Sequence, residues 1–169
     1  MGSYSPAPII NKKLERKIIK RIVVPTLNAL KAKNNAYTGF LYVGLMIKNN
    51  EPFLIEYNIR MGDPECQVIM PRLKTDLLKI LIAASESKLN KISIKWNKNK
   101  CMTVVVCSKG YPNKYKIGYI INLQKIKLNS KSFIFHAGTK FMNRSLVSNG
   151  GRVLNIVVIG KSFLHIRNQ

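Results

Sequence analysis

Apolar residues occupy every second position over residues 53–60. Phe53, Ile55, Tyr57 and Ile59 fall on one face of an extended strand, and Leu54, Glu56, Asn58 and Arg60 fall on the other. The preceding apolar run, residues 39–47, is nearly continuous, as expected of a central strand covered on both faces. Asn49-Asn50 between the two runs predicts a tight hairpin. Upstream, Leu14, Ile18, Ile22 and Val23 recur at helical spacing behind a capping Asn11. Pro25 should kink this helix or open a second turn before it ends near Lys33 and Asn34-Asn35. Residues 1–9, with Pro6 and Pro8, read as a loop. A second amphipathic pattern built on Val68, Leu73, Leu77, Ile80 and Leu81 predicts one long helix from about Pro64 to Glu86. After a connector at 88–100, which includes a short segment at 92–96, the pattern changes to short strands. These are expected at 102–106, 117–122, 133–135 and 152–159, separated by Tyr-Pro-Asn and Asn-Gly-Gly turns. The expectation is an α+β chain with a division at residues 1–93 and 94–169, the second part being β-rich.

The polar face of the 53–60 strand carries a carboxylate, a carboxamide and a guanidinium in sequence. Successive side chains on one strand face lie ~6.5–7 Å apart. Two oxygen donors beside a planar cation suit a hard metal ion and the phosphates it carries. Gly62-Asp63-Pro64-Glu65 then turns the chain and brings carboxylates to the start of the predicted helix, where backbone N–H groups could meet an anion. An edge strand followed by a helix cap would use the same residue types, so geometry alone leaves both readings open.

Composition narrows the class. With 169 residues and 46% hydrophobic content the chain is globular, one domain or two small ones. No run approaches the ~18 apolar residues of a membrane span, and no charged-apolar-small leader opens the sequence. The Met1-Gly2 start lacks the Ser or Thr that a myristoylation motif needs, since Pro6 stands there. Three cysteines, Cys66, Cys101 and Cys107, form no framework and fit reduced thiols in a cytoplasm. The net charge of +22 points toward nucleic acid or another polyanion. However, its lysines are scattered, accompany abundant Asn and Ile as AT-rich codons produce, and match no nucleic-acid-binding motif. The expectation is no specific nucleic acid and no membrane partner, with salt-sensitive adherence to polyanions.

Several segments share a single resemblance. Arg60-Met61-Gly62-Asp63-Pro64-Glu65-Cys66-Gln67-Val68 resembles the signature of the phosphoribosylamine–glycine ligase family, the glycinamide ribonucleotide synthetases, with Met61 where Leu or Phe is usual. Met1-Gly2-Ser3-Tyr4-Ser5-Pro6-Ala7-Pro8 is similar to the family's Met-Gly-Ala-Tyr-Ser-Pro-Ala-Pro loop, and residues 37–46 resemble the strand before its metal-binding strand. Lys109-Gly110-Tyr111-Pro112, Phe135-His136-Ala137-Gly138-Thr139 and Asn149-Gly150-Gly151-Arg152-Val153-Leu154 follow in family order. The resemblance implies the C-terminal half of an ATP-grasp domain followed by a small β-rich domain. The glycine-rich N-terminal domain and the lid would be missing, as would the family's last helix and strand.

The family's activity is ATP-dependent C–N ligation of glycine to 5-phosphoribosylamine in purine biosynthesis, with Mg2+ or Mn2+. By resemblance Glu56 and Asn58 bind the metal, Arg60 is catalytic and faces the phosphates, and Tyr4, Ser5, Pro6, Gly62, Asp63, Pro64 and Glu65 shape the substrate and phosphate site. An ion pair of Arg60 with Asp63 or Glu65 and helix capping by Asp63 are the structural alternatives. A piece without lid and N-domain is expected to be catalytically silent and to display an apolar seam. The alternatives are a decayed non-catalytic remnant and a basic nucleic-acid-binding module. His136 reads as a packed or hydrogen-bonded histidine, and His165 carries no signal. Gly160-Lys161-Ser162 is no phosphate loop, because Asn155 stands where its first glycine must be. Asn149-Gly150-Gly151 reads as a structural turn.

Overall fold

A computed structural model describes residues 1–167. In chain order the elements are β1 (Gly2–Ser5), α1 (Lys12–Ile18), α2 (Val24–Ala32), β2 (Tyr42–Lys48), β3 (Glu51–Asn58), α3 (Cys66–Ile69), α4 (Leu77–Ser85), β4 (Lys100–Cys107), β5 (Ser132–His136), β6 (Thr139–Met142), β7 (Ser145–Ser148), β8 (Arg152–Gly160) and α5 (Phe163–Arg167). The fold is α+β. The chain divides into two compact units, each drawn from separate stretches of sequence. One contains Met1–Pro6, Asp63–Arg72 and everything from Asn97 onward; the other contains Ala7–Gly62 and Leu73–Trp96.

The first unit is built on an antiparallel sheet in the order β1-β4-β8-β5. Cys101, Thr103 and Val105 of β4 point inward beside Ile159, Val157 and Asn155 of β8, their cross-strand partners. Val68 from α3 and Phe135 from β5 complete this core. Thr103 Oγ1 and Asn155 Oδ1 are buried there without hydrogen-bond partners. The pocket is dry enough to hold the Cys101 thiol at a pKa of about 11, chiefly through desolvation. The Tyr4 ring meets Phe163 edge-on, centroids 5.3 Å apart.

The first nine residues are not wholly loop, because Gly2–Ser5 pairs with β4. The expected strand at 117–122 does not form as a regular element; Ile120 bridges Val147, and Gly118 and Ile121 donate to the carbonyls of Ser148 and Leu146 at 2.7 and 2.8 Å. The sequence reading missed the β6–β7 hairpin, whose turn residues Asn143 and Arg144 both take positive φ.

In the second unit Asn11 caps α1 by accepting from the Leu14 N–H, as expected. Pro25 stands in the first turn of a second helical stretch, α2, as expected. The chain passes through a π turn at Ile19–Val23, where the Val24 N–H donates to the Ile19 carbonyl, and continues as α2. Asn49 and Asn50, both at positive φ, form the anticipated hairpin turn between β2 and β3. The long helix expected from Pro64 to Glu86 is instead two short ones, α3 and α4, which belong to different units. Pro71 lies in the 3-10 turn that follows α3, and Asp76 caps α4 by accepting from the Lys79 N–H. Among the described residues no helix is long and apolar enough to cross a membrane.

Candidate functional site

In the second unit β2 and β3 form a two-stranded antiparallel sheet whose register slips by one residue. Gly44 pairs with Glu56 and Leu45 with Leu54, so Ile55 is an extra residue, a β-bulge. Cross-strand partners share a face. Leu54 therefore lies with Tyr57 and not with Glu56, while Phe53 joins the face of Glu56 and Asn58. This corrects the strict alternation of faces expected from the sequence. The Tyr57 face reaches α2, where its hydroxyl meets Thr26 Oγ1 at 2.5 Å. The opposite face is open, and Phe53 and Met46 are exposed on it.

Glu56 and Asn58 remain together beyond the bulge. Asn58 Nδ2 donates to Glu56 Oε1 at 2.9 Å, which leaves Glu56 Oε2 and Asn58 Oδ1 as oxygen donors for a cation. Gly44 makes room for them: a Cβ there would lie 2.9 Å from Glu56 Cγ. Among the described residues no group of three or more His, Cys, Asp or Glu side chains could hold a metal. The Glu56–Asn58 pair thus fits a hard ion that takes its remaining ligands from a phosphate chain. Arg60 lies past the end of β3, with Nη1 donating to the Met61 carbonyl at 2.9 Å. Gly62 is buried.

The far end of β3 is anchored differently. Glu51 pairs with Lys17 and, at 2.5 Å, with Arg21. These two cations, Lys17 first, hold its carboxyl below the ordinary value of 4.5.

The other expected residues belong to the first unit. Ser5 Oγ accepts from Arg72 Nη1 at 2.5 Å, and Arg72 also donates to the carbonyls of Asn99 and Asn97 at 3.0 and 3.2 Å. Ser5 is thus fixed by a half-buried guanidinium. Tyr4 is exposed, and Pro6 is half-buried. Asp63 is held from two sides. Arg152 Nη1 donates to its carbonyl oxygen at 2.8 Å and to Oδ2 at 2.9 Å, while Gln67 Nε2 donates to Oδ1 at 2.9 Å. Asp63 forms its ion pair with Arg152 and not with Arg60. Pro64 is buried, and Glu65 begins the single turn of α3. With four residues, α3 is too short to act as the anion-binding helix start that the sequence pattern invited.

Arg152 and Tyr111, which the sequence reading does not single out, are bonded to one another and, through Arg152, to Asp63. Both stand in the family-like segments at 109–112 and 149–154, where Asn-Gly-Gly reads as a turn. His136 Nδ1 lies 3.0 Å from Thr139 Oγ1. Ser162 begins the last helix, its hydroxyl accepting from the His165 N–H, and Asn155 lies mid-strand in β8.

Comparison with known proteins fits this arrangement. The ATP-grasp (A) domain of phosphoribosylglycinamide synthetase matches residues 1–66, and the C domain of the same enzyme matches residues 101–169. A phosphoribosylamine–glycine ligase of Vigna unguiculata is 45% identical over 165 residues, covering 95% of this chain and 53% of the relative. That of Escherichia coli K12 is 43% identical over 162 residues, covering 95% and 38%. The crystal structure of the Thermotoga maritima ligase superposes with a TM-score of 0.77 at 30% identity, over 99% of this chain and 41% of that one. The chain thus spans about two fifths to one half of the length of these relatives. Two matched domains in family order and a common fold lead to one conclusion: the chain belongs to the phosphoribosylamine–glycine ligase family, also called phosphoribosylglycinamide synthetase.

Proposed function

We propose that this chain supplies the metal-binding strand and the substrate loop of an ATP-dependent phosphoribosylamine–glycine ligase acting in the purine pathway of the cytoplasm. The observation that carries the reading is the Glu56–Asn58 pair, two oxygen donors on the open face of β3 with Gly44 clearing space beside them. In this reading the ligase transfers the γ-phosphoryl group of ATP to the glycine carboxylate, releasing ADP. The amine of 5-phosphoribosylamine then attacks the activated carbonyl carbon, expels phosphate, loses a proton and yields glycinamide ribonucleotide. Mg2+ or Mn2+, when bound, neutralises charge on the phosphates during transfer.

Glu56 and Asn58 hold that ion, and Arg60 presents a fixed cation to phosphate oxygens. Tyr4, Ser5 and Pro6, together with Gly62, Asp63, Pro64 and Glu65, shape the loops that position substrate. The family boundary between ATP-grasp and C-terminal parts falls near residues 93 and 94. ATP-binding parts beyond this chain's length are needed to enclose the nucleotide and exclude water, so the chain alone is catalytically silent.

Electron paramagnetic resonance of Mn2+ titrated with ATP tests the metal assignment. The chain should bind Mn2+-ATP, and Glu56→Gln and Gly44→Ala should each weaken binding about tenfold with the fold intact. Equal affinity in the wild type and in Glu56→Gln would remove Glu56 from the metal site. ADP formation dependent on glycine and phosphoribosylamine should be absent, and robust turnover would refute the need for further domains.

A further inference from the structure

Within the first unit, three segments far apart in sequence converge on Asp63. The turn after β4 is tied to the turn before β8: the Ser108 N–H donates to the Gly151 carbonyl at 2.8 Å, and Ser108 Oγ donates to the Gly150 carbonyl at 2.8 Å. This brings the Tyr111 ring close against Gly151. A Cβ on residue 151 would come 2.2 Å from the ring, so only glycine permits the approach. The Tyr111 hydroxyl then accepts from Arg152 Nε at 3.0 Å. That bond fixes the guanidinium plane and aims Nη1 at the carbonyl and carboxylate of Asp63. Both carboxylate oxygens of Asp63 are engaged, one by Arg152 and one by Gln67. The Tyr111 bond, followed by the Asp63 charge, also keeps Arg152 protonated beyond its ordinary range against partial desolvation.

We propose that Arg152 is a positioning residue for the ligase reaction: braced by Tyr111, it grips Asp63 by main chain and side chain and sets the course of residues 63–67, so Asp63 serves this brace and does not itself touch substrate. The inference rests on the reading of residues 62–65 as substrate loop. The geometry accounts for a guanidinium at this position. A lysine ammonium could reach Asp63 but could not hold Tyr111 and Asp63 at once in a fixed plane.

Amide hydrogen exchange of Val68, Ile69 and Met70, whose N–H groups donate to the Glu65 and Cys66 carbonyls, is the first readout in the full chain and needs no ligand. Arg152→Met should speed exchange there about fivefold or more, the brace being charge-assisted but partly solvated. Tyr111→Phe should give a smaller rise, and the exposed-site control Lys140→Met none. Asp63→Asn combined with Arg152→Met should exchange no faster than Arg152→Met alone, because both remove one interaction. Unchanged exchange in Arg152→Met, or fully additive effects in the double variant, would overturn the brace.

The second readout is binding of glycinamide ribonucleotide, followed by ligand-observed NMR. Arg152→Met should weaken it about fivefold or more, and Arg152→Lys should restore part of the loss. Equal binding by the wild type and Arg152→Met would overturn the positioning role. Absence of binding by the wild type would instead count against the substrate-loop reading, with the brace still decided by exchange.

Discussion

The two units bury their apolar residues to very different degrees. In the β1-β4-β8-β5 unit the inward positions of β4 and β8 close completely: Cys101 and Val157 have no exposed surface, and Val68 from α3 seals them. In the β2–β3 unit most apolar residues of β3 and the residue just past it remain in contact with solvent, with Ile55 62% and Ile59 78% exposed. Leu14 and Ala83 are its buried hydrophobic residues. Both strand patterns looked equally apolar in the sequence. The difference teaches that an apolar strand records the surfaces it is suited to meet, while burial depends on which layers are there to meet it.

The largest test of this contrast places the same charge in both units. Val157→Asp puts an unpaired carboxylate into a sealed core, and a loss of more than ~4 kcal/mol should unfold the sheet unit. Ile59→Asp should leave the thermal transition followed by circular dichroism nearly where it was. Similar melting of the two variants would erase the distinction. A gentler test replaces Phe53 and Ile59 by Ser together. Stability should change by no more than about 0.5 kcal/mol per site, while light scattering should report less self-association, since exposed apolar patches drive it.

The smallest effect concerns acid. The Glu51 carboxyl lies below its ordinary value because Lys17 and Arg21 hold it, so its contribution is present above pH 4.5 and fades as pH falls through the lowered folded value. Glu51→Gln should therefore flatten the acid side of the stability profile of the β2–β3 unit and leave neutral stability little altered. A Glu51→Gln profile parallel to wild type down to pH 3 would show the pair to be inert.

How much was legible follows from the range of the interaction that decides each element. The Asn11 cap, the Asn49-Asn50 turn and the β4, β5 and β8 strands rest on local chemistry and were all read from sequence. β1 was not, because prolines follow it closely and its partner β4 lies about a hundred residues downstream. The break in the predicted 64–86 helix had a readable signal in Thr75-Asp76. Thr75 Oγ1 accepts from the Lys95 N–H at 2.7 Å, and Asp76 caps α4. The run of apolar residues Val68, Leu73, Leu77, Ile80 and Leu81 masked it.

At the site, the company of Glu56 and Asn58 was legible because side chains two apart share a face wherever a strand is regular. The bulge was not, since nothing in Phe53-Leu54-Ile55-Glu56 distinguishes an extra residue from a regular one. The link from Arg152 to Asp63 spans 89 positions and becomes visible only once the chain is folded.

The Ile55 bulge also bears on how this strand tolerates gains and losses of sequence. Removing one residue from a regular strand transfers every side chain on one side of the cut to the opposite face. Here the surplus residue is already absorbed, and the flanking pairs Gly44–Glu56 and Leu45–Leu54 are in step on either side of it. Deleting Ile55 would therefore join two segments already in phase, leaving Glu51 and Phe53 on the side of Glu56 and Asn58. What would be lost is the local bend, and with it the angle at which the paired oxygens are offered. A length variant at this position could thus retune the presentation of Glu56 and Asn58 without scrambling the hairpin.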